Sequence, residues 1–118
     1  MGKAKSAIKS QIELVKRAIE FVNDVKKEIN VKDVYVVGSR ARGDYLDVSD
    51  IDLVIISPDF KGLRYIDRLE KLAKYLRARV EFFAFTPEEW EKPSSLFIEV
   101  MKKEAKRLED LAKELRVI

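Results

Sequence analysis

The chain has 118 residues, 47% hydrophobic and 38% charged, with a net charge of +3, which is the size of one domain with apolar content for a single core. It has no cysteine and no histidine, which excludes disulfides, thiol nucleophiles, Ser-His pairs and the common zinc sites. Any chemistry must therefore run on carboxylates, hydroxyls, lysines, arginines or a metal ion, and no run approaches the ~18 apolar residues of a membrane-spanning helix.

The opening Met1-Gly2-Lys3-Ala4-Lys5 is basic and lacks an apolar signal core, so the sequence reads as cytoplasmic. Across 4–29, Ile8, Ile12, Val15, Ile19, Val22, Val25 and Ile29 recur at spacings of three and four, with Leu14, Ala18 and Phe21 beside them. This predicts a long amphipathic helix that packs on the core. Val34–Val37 and Ile51–Ile56 are short β-branched runs and predict two buried strands. Gly38-Ser39 closes the first strand, and Asp50 and Asp52 open the second.

Alternation along a strand puts Asp50 and Asp52 on one face. Two neighbouring carboxylates repel unless a cation lies between them, and Mg²⁺ is typically held by one or two carboxylates together with substrate phosphates. A glycine just after a strand lets backbone approach a ligand closely, and the N–H groups and hydroxyl that follow can hold phosphate oxygens. Arg40 and Arg42 could reach phosphates or pair with Asp44, Asp47 or the motif carboxylates, and Ser49 stands immediately before Asp50.

Further along, Leu63, Ile66, Leu69, Leu72 and Leu76 predict a helix over about 63–77, with Arg64, Arg68, Lys71 and Lys74 facing water or a ligand. A third strand is expected over about 79–85. Glu81 is the charged residue within it, and a lone buried carboxylate needs a partner or a metal. Thr86-Pro87-Glu88-Glu89 is a helix start. The apolar residues from Phe97 to Leu115 predict one last helix over about 95–115. Charge is uneven: 31–60 holds three basic and six acidic residues, whereas 61–80 holds seven basic and two acidic. That pattern suits a polyanion carried with a cation, or simply a solvated basic helix face. The many charged residues, with one Gln and two Asn, resemble thermophile usage.

G-S-R-A-R-G (38–43) followed by S-D-I-D-L (49–53), with Gly38 and Asp50 twelve apart, resembles the signature of the DNA polymerase β-like nucleotidyltransferase superfamily, most closely its minimal, MNT-type members. The resemblance implies an α+β fold for one domain over 1–118, a small mixed β-sheet covered by helices, here expected over one face. It implies transfer of a nucleoside monophosphate, AMP from ATP in the first instance, with two Mg²⁺ ions (Mn²⁺ would also suit) on Asp50, Asp52 and Glu81. Glu81 matches the superfamily's third acidic residue, which is more often Asp. Gly38 and Ser39 would hold the β- and γ-phosphates, with Arg40, Arg42 and Ser49 grouped with them in the nucleotide site.

Many stand-alone members of this type act as antitoxins to a helical HEPN-domain toxin, attaching AMP to a tyrosine on it, and such a partner is the expectation here. Two alternatives stand beside it: an NTP-binding antitoxin module without catalysis, and a homodimer (a homo-oligomer) acting on a small molecule. Direct nucleic-acid binding through 61–79 is the weakest reading, because only Tyr65 and Tyr75 interleave with the basic residues.

Overall fold

The computed structural model describes residues 4–118, so Met1–Lys3 of the opening read above lie outside it. Helix α1 spans Lys5–Val25, shorter than the expected 4–29. The chain continues in a loosened turn that buries Ile29. The centre of the buried face is Leu14, Ala18, Phe21 and Val25, all fully buried, while Ile8 is exposed. The stripe is therefore rotated toward the residues that only seemed to widen it.

Strands β1 (Asp33–Val37) and β2 (Ile51–Ile56) pair antiparallel. A short helix α2 (Ser39–Arg42) and a loop lie between them. After β2, a 3-10 turn at Pro58–Phe60 leads to α3 (Tyr65–Ala73), which crosses to β3 (Val80–Phe85), parallel to β2. Next comes α4 (Pro87–Glu91), closed by the capping box of Thr86 and Glu89. The last third holds α5 (Leu96–Glu104), a two-residue strand β4 (Lys106–Arg107) and α6 (Leu108–Glu114). The sheet order is β3-β2-β1-β4. No helix among the described residues is long and apolar enough to cross a membrane.

The architecture is the expected α+β mixed sheet, with three differences of detail. First, the single helix over 95–115 is broken. The outer edge of β1 has unpaired backbone groups, and Lys106 and Arg107 leave the helical path to pair with Val36 and Tyr35. Ladder hydrogen bonds outweigh helix propensity, and a fourth strand results.

Second, both faces of the sheet are covered. Ile51, Leu53 and Ile55 pack with α1, Leu72 of α3 and Leu108 and Leu111 of α6. On the other face Val37, Val54, Ile56 and Phe85 pack with Trp90 of α4 and Met101 of α5. Trp90 stacks on Tyr35 at 5.2 Å and on Phe85 at 6.3 Å between ring centroids, and Lys102 of α5 places its ammonium 5.9 Å from the indole.

Third, α3 turns a different side inward. Leu63, Ile66 and Leu76 are exposed, whereas Arg68, expected to face water or a ligand, is buried. The reason is the free edge of β3. Arg68 Nη1 donates to the Ala84 carbonyl at 3.1 Å and to Glu89 Oε1 at 2.6 Å, and the Tyr65 hydroxyl accepts the Ala84 N–H at 3.2 Å. Side chains of α3 thus satisfy an edge that would otherwise stay open to strand pairing.

Removing the Leu53 side chain from the fully buried centre is expected to lower unfolding free energy by about 3 kcal/mol, whereas Ile66→Ala on the exposed side of α3 changes it by less than about 0.5 kcal/mol. Urea denaturation of the two variants checks both.

Candidate active site

β1 delivers the chain to Gly38, whose φ of 73° lies where side chains are disfavoured. There is a second reason for glycine here. A Cβ at this position would stand 2.9 Å from Asp52 Oδ2, so a side chain would strike the carboxylate. Asp52 lies between Val37 on β1 and Glu81 on β3 in the sheet register. Asp50 stands just before β2, exposed, with Arg79 Nε 3.8 Å from its Oδ1. Arg79 adopts φ 64° and gives Nη2 to the carbonyls of Asp47 and Ser49.

Asp52 is half-buried, and its carboxyl is pushed up from 3.8 to about 6. Burial is the largest cause. The charge of Glu81 and a hydrogen bond between the two carboxyls come next, then the charges of Asp50 and Glu104. Glu81, which the sequence suggests as a buried carboxylate, is exposed, and it stands beside Asp52 across the β2–β3 pair, so a cation between the two would relieve their repulsion. A hard divalent cation fits that donor set, which is all oxygen. Among the described residues, however, no three acidic, His or Cys side chains already converge as a ligand cluster.

The other sequence candidates separate clearly. Arg40 is 1% exposed. Its Nε and Nη2 donate to the Ser49 carbonyl, Nη2 also to the carbonyls of Leu46 and Asp47, and Nη1 to Ser10 Oγ and Gln11 Oε1. The guanidinium lies 4.2 Å over the Tyr45 ring. Every nitrogen is engaged, so Arg40 is not placed to reach a phosphate; it holds the loop. Ser49 serves the same loop, its hydroxyl accepting the Leu46 N–H at 3.0 Å. The Ser39 hydroxyl, by contrast, makes no hydrogen bond among the described residues. Arg42 is exposed at the mouth of the site, with Nε 3.2 Å from Asp44 Oδ2 and Nη1 2.7 Å from Glu104 Oε2.

Glu104, the last residue of α5, was not among the sequence candidates. Its Oε1 accepts the Gly38 N–H at 2.9 Å while Oε2 takes Arg42. Gln11 was missed as well. It is buried, and besides accepting from Arg40 it donates from Nε2 to the Arg40 carbonyl at 3.0 Å. Neither residue carries a local signal, since each looks like an ordinary surface position of a helix. A cavity of about 420 Å³, lined by Ile19, Asn23, Lys26, Asp33, Arg107 and Ile118 among others, lies away from these carboxylates and contains none of them.

Arg40→Met would leave the buried Gln11 amide oxygen without its donor and cut the tie between α1 and the 46–49 loop, and is expected to destabilise the fold by about 3 kcal/mol. Arg42→Ala should shift the denaturation midpoint far less. Equal losses in the two would contradict the division between a structural and a site arginine.

The raised Asp52 carboxyl predicts a pH dependence. The folded protein holds this proton more tightly than the unfolded chain does, so the stability it contributes is complete below about pH 4 and is lost as pH rises through about 6. Without divalent ions, Asp52→Asn is therefore expected to exceed the wild type in stability by about 1–2 kcal/mol at pH 8, after allowance for solvent screening, and to match it near pH 4. Urea midpoints at the two pH values measure this.

The profile of the nucleotidyltransferase domain family matches residues 16–108. In structure the chain is similar to a Sulfolobus solfataricus protein described as a candidate nucleotidyltransferase, with 35% identity, 91% of this chain and 89% of that chain covered, and a TM-score of 0.77. No curated protein matches at the same stringency. The match extends from α1 through β4 and includes the Gly38-Ser39 turn, Asp50, Asp52 and Glu81; the chain belongs to the nucleotidyltransferase domain family and has its polymerase β-like fold.

Proposed function

We propose that the protein moves AMP from ATP onto an acceptor hydroxyl, the acceptor being a tyrosine of a HEPN-type toxin that it neutralises. The observation that carries the catalytic part is the contact of Gly38 with Asp52. The turn that would receive phosphates stands against the carboxylate that would hold the cation, with no room for even a Cβ between them.

Asp50, Asp52 and Glu81 are the residues that would hold Mg²⁺, or Mn²⁺ on the same oxygen donors. Bound there, the ions would neutralise phosphate charge and lower the pKa of the acceptor hydroxyl. The Gly38 N–H, the Ser39 hydroxyl and Arg42 bind and orient the triphosphate. The acceptor oxygen attacks the α-phosphorus, the new P–O bond forms as the bond to the bridging oxygen breaks, and pyrophosphate leaves with that electron pair. Glu81 takes the hydroxyl proton. No histidine is needed, consistent with a chain that has none.

A macromolecular acceptor is favoured by α5, which ends at the site and exposes Leu96, Phe97 and Val100. Phe97 packs edge-on against Phe83, which shares its strand face with Glu81. An apolar ridge beside a catalytic cleft suits a protein partner better than a small solute. Direct nucleic-acid binding through 61–79 is disfavoured, because Arg64, Arg68, Lys74 and Arg77 are paired with Asp67, Glu89, Glu28 and Asp24. A purely ATP-binding antitoxin is the second reading, since the site could hold nucleotide without turning it over.

With α-phosphate-labelled ATP, Mg²⁺ and lysate of the source organism, label is expected on a discrete protein band. Asp52→Asn should reduce it at least about a hundredfold, the equivalent of several kcal/mol of lost charge stabilisation. ATP binding without transfer, and neutralisation of the partner undiminished by Asp52→Asn, would establish the binding-module reading instead.

A further inference from the structure

We infer that Glu104 is a nucleotide-gating residue, its carboxylate standing in for a phosphate on Gly38 and Arg42 until a triphosphate displaces it. The inference rests on the assignment of Gly38 and Arg42 to the triphosphate. It names a residue and a limit on affinity that the assignment alone does not contain.

The geometry is that of an anion on a bidentate receptor. One oxygen of Glu104 takes a backbone N–H at 2.9 Å and the other takes a guanidinium nitrogen at 2.7 Å. Both are lengths typical of hydrogen bonds to a charged acceptor. A phosphate presents adjacent oxygens in the same manner, and arginine accepts carboxylate and phosphate alike. The two anions cannot occupy these donors together.

The sheet explains why the N–H is open to such a visitor. The ladder to β2 ends with Val37 paired to Asp52, and the β4 ladder ends with Lys106 paired to Val36. Gly38 N–H thus lies just past the end of both, facing α5. Glu104 is also held where a carboxylate is poorly placed. Its side chain is only 18% exposed, and Asp52 feels its charge in addition to those of Glu81 and Asp50. The charge is tolerated because two donors neutralise it, and it repels Asp52 while it stays.

Departure is feasible without disturbing the sheet. Glu104 ends α5, and Ala105 has left the helical path with ψ 136°. The pairing of β4 with β1 holds the chain from Lys106 onward. A change of side-chain rotamer, or loosening of the last turn of α5, is sufficient to clear the donors.

Binding decides the matter, measured by calorimetry with Mg²⁺ present and three probes: ATP, inorganic tripolyphosphate and adenosine. Glu104→Ala is expected to bind ATP and tripolyphosphate about tenfold more tightly than the wild type, with Glu104→Gln between them, because removing the competitor removes about one charge-assisted hydrogen bond's worth of competition. Adenosine, which brings no phosphate, should show no change.

In amide spectra the Gly38 resonance of the wild type should move on adding Mg²⁺ and tripolyphosphate, and that of Glu104→Ala should already be displaced beforehand. Should the alanine variant fold poorly, the glutamine variant carries the same direction of change. Equal or weaker binding by variants whose wild type does bind ATP would overturn the gating role alone and make Glu104 a residue that positions Arg42. Failure of ATP and tripolyphosphate to bind any of the proteins would overturn the nucleotide assignment and the gating role with it.

Discussion

The buried guanidinium of Arg40 sets the geometry on which the candidate site depends. The Arg40 guanidinium lies behind the loop that carries the chain from α2 to β2 and engages the carbonyls of Leu46, Asp47 and Ser49. From its other terminal nitrogen, Nη1, it reaches Ser10 and Gln11 of α1. A loop of this kind has too few internal hydrogen bonds to define its own path. An arginine with five donors in a rigid fork can define it from within. Burying such a charge is costly unless every donor is matched, and here they are matched. The result is that Asp50 enters β2 at a fixed point, and strand register does the rest.

That register is what brings the candidate site's carboxylates together. Asp52 and Glu81 are opposite each other because β2 and β3 pair in parallel with Ile51 beside Val80. A slip of one residue would send Glu81 to the α1 face and leave Asp52 without its neighbour. The same alternation that sends Leu53 and Ile55 into the large core sends Asp52, Val54 and Ile56 to the opposite side. That side is divided along its length, with aromatic packing under α4 at one end and carboxylates at the other. Burial first, and the nearby charges of Glu81 and Asp50 after it, disfavour an ionised Asp52 in the protein alone, and such perturbed groups are a usual mark of a site that binds something else.

Much of this is legible in the sequence. Asp-x-Asp at the head of a β-branched run defines the face of both carboxylates, and Gly-Ser at the end of another defines the turn. Thr86-Pro87 gave a helix start that is present with its full capping box. What was not legible depends on contacts distant in sequence. The helix from 95 to 115 contains no glycine or proline, so nothing local announces its break at Ala105; an unpaired strand edge seventy residues earlier in the chain causes it. Glu104 acquires its place only through that break. Arg40 and Arg42 are two positions apart in one motif, yet one is interior and the other at the mouth, because a four-residue helix sends them to different sides. The helical stripe points Arg68 toward water or a ligand, and the structure instead commits it to the edge of β3.

The aromatic packing under α4 has an optical consequence. Trp90 is the one tryptophan of the chain, fixed against Tyr35 and Phe85, with the Lys102 ammonium from α5 at 5.9 Å. Lys102 precedes Glu104 by two residues on the same helix. The indole therefore packs on aromatic rings of the sheet and lies near a charge belonging to α5. A cation near an indole face perturbs its electronic energies. Emission from this single fluorophore reads the position of α5 directly, and the unlabelled protein carries its own gauge of that helix.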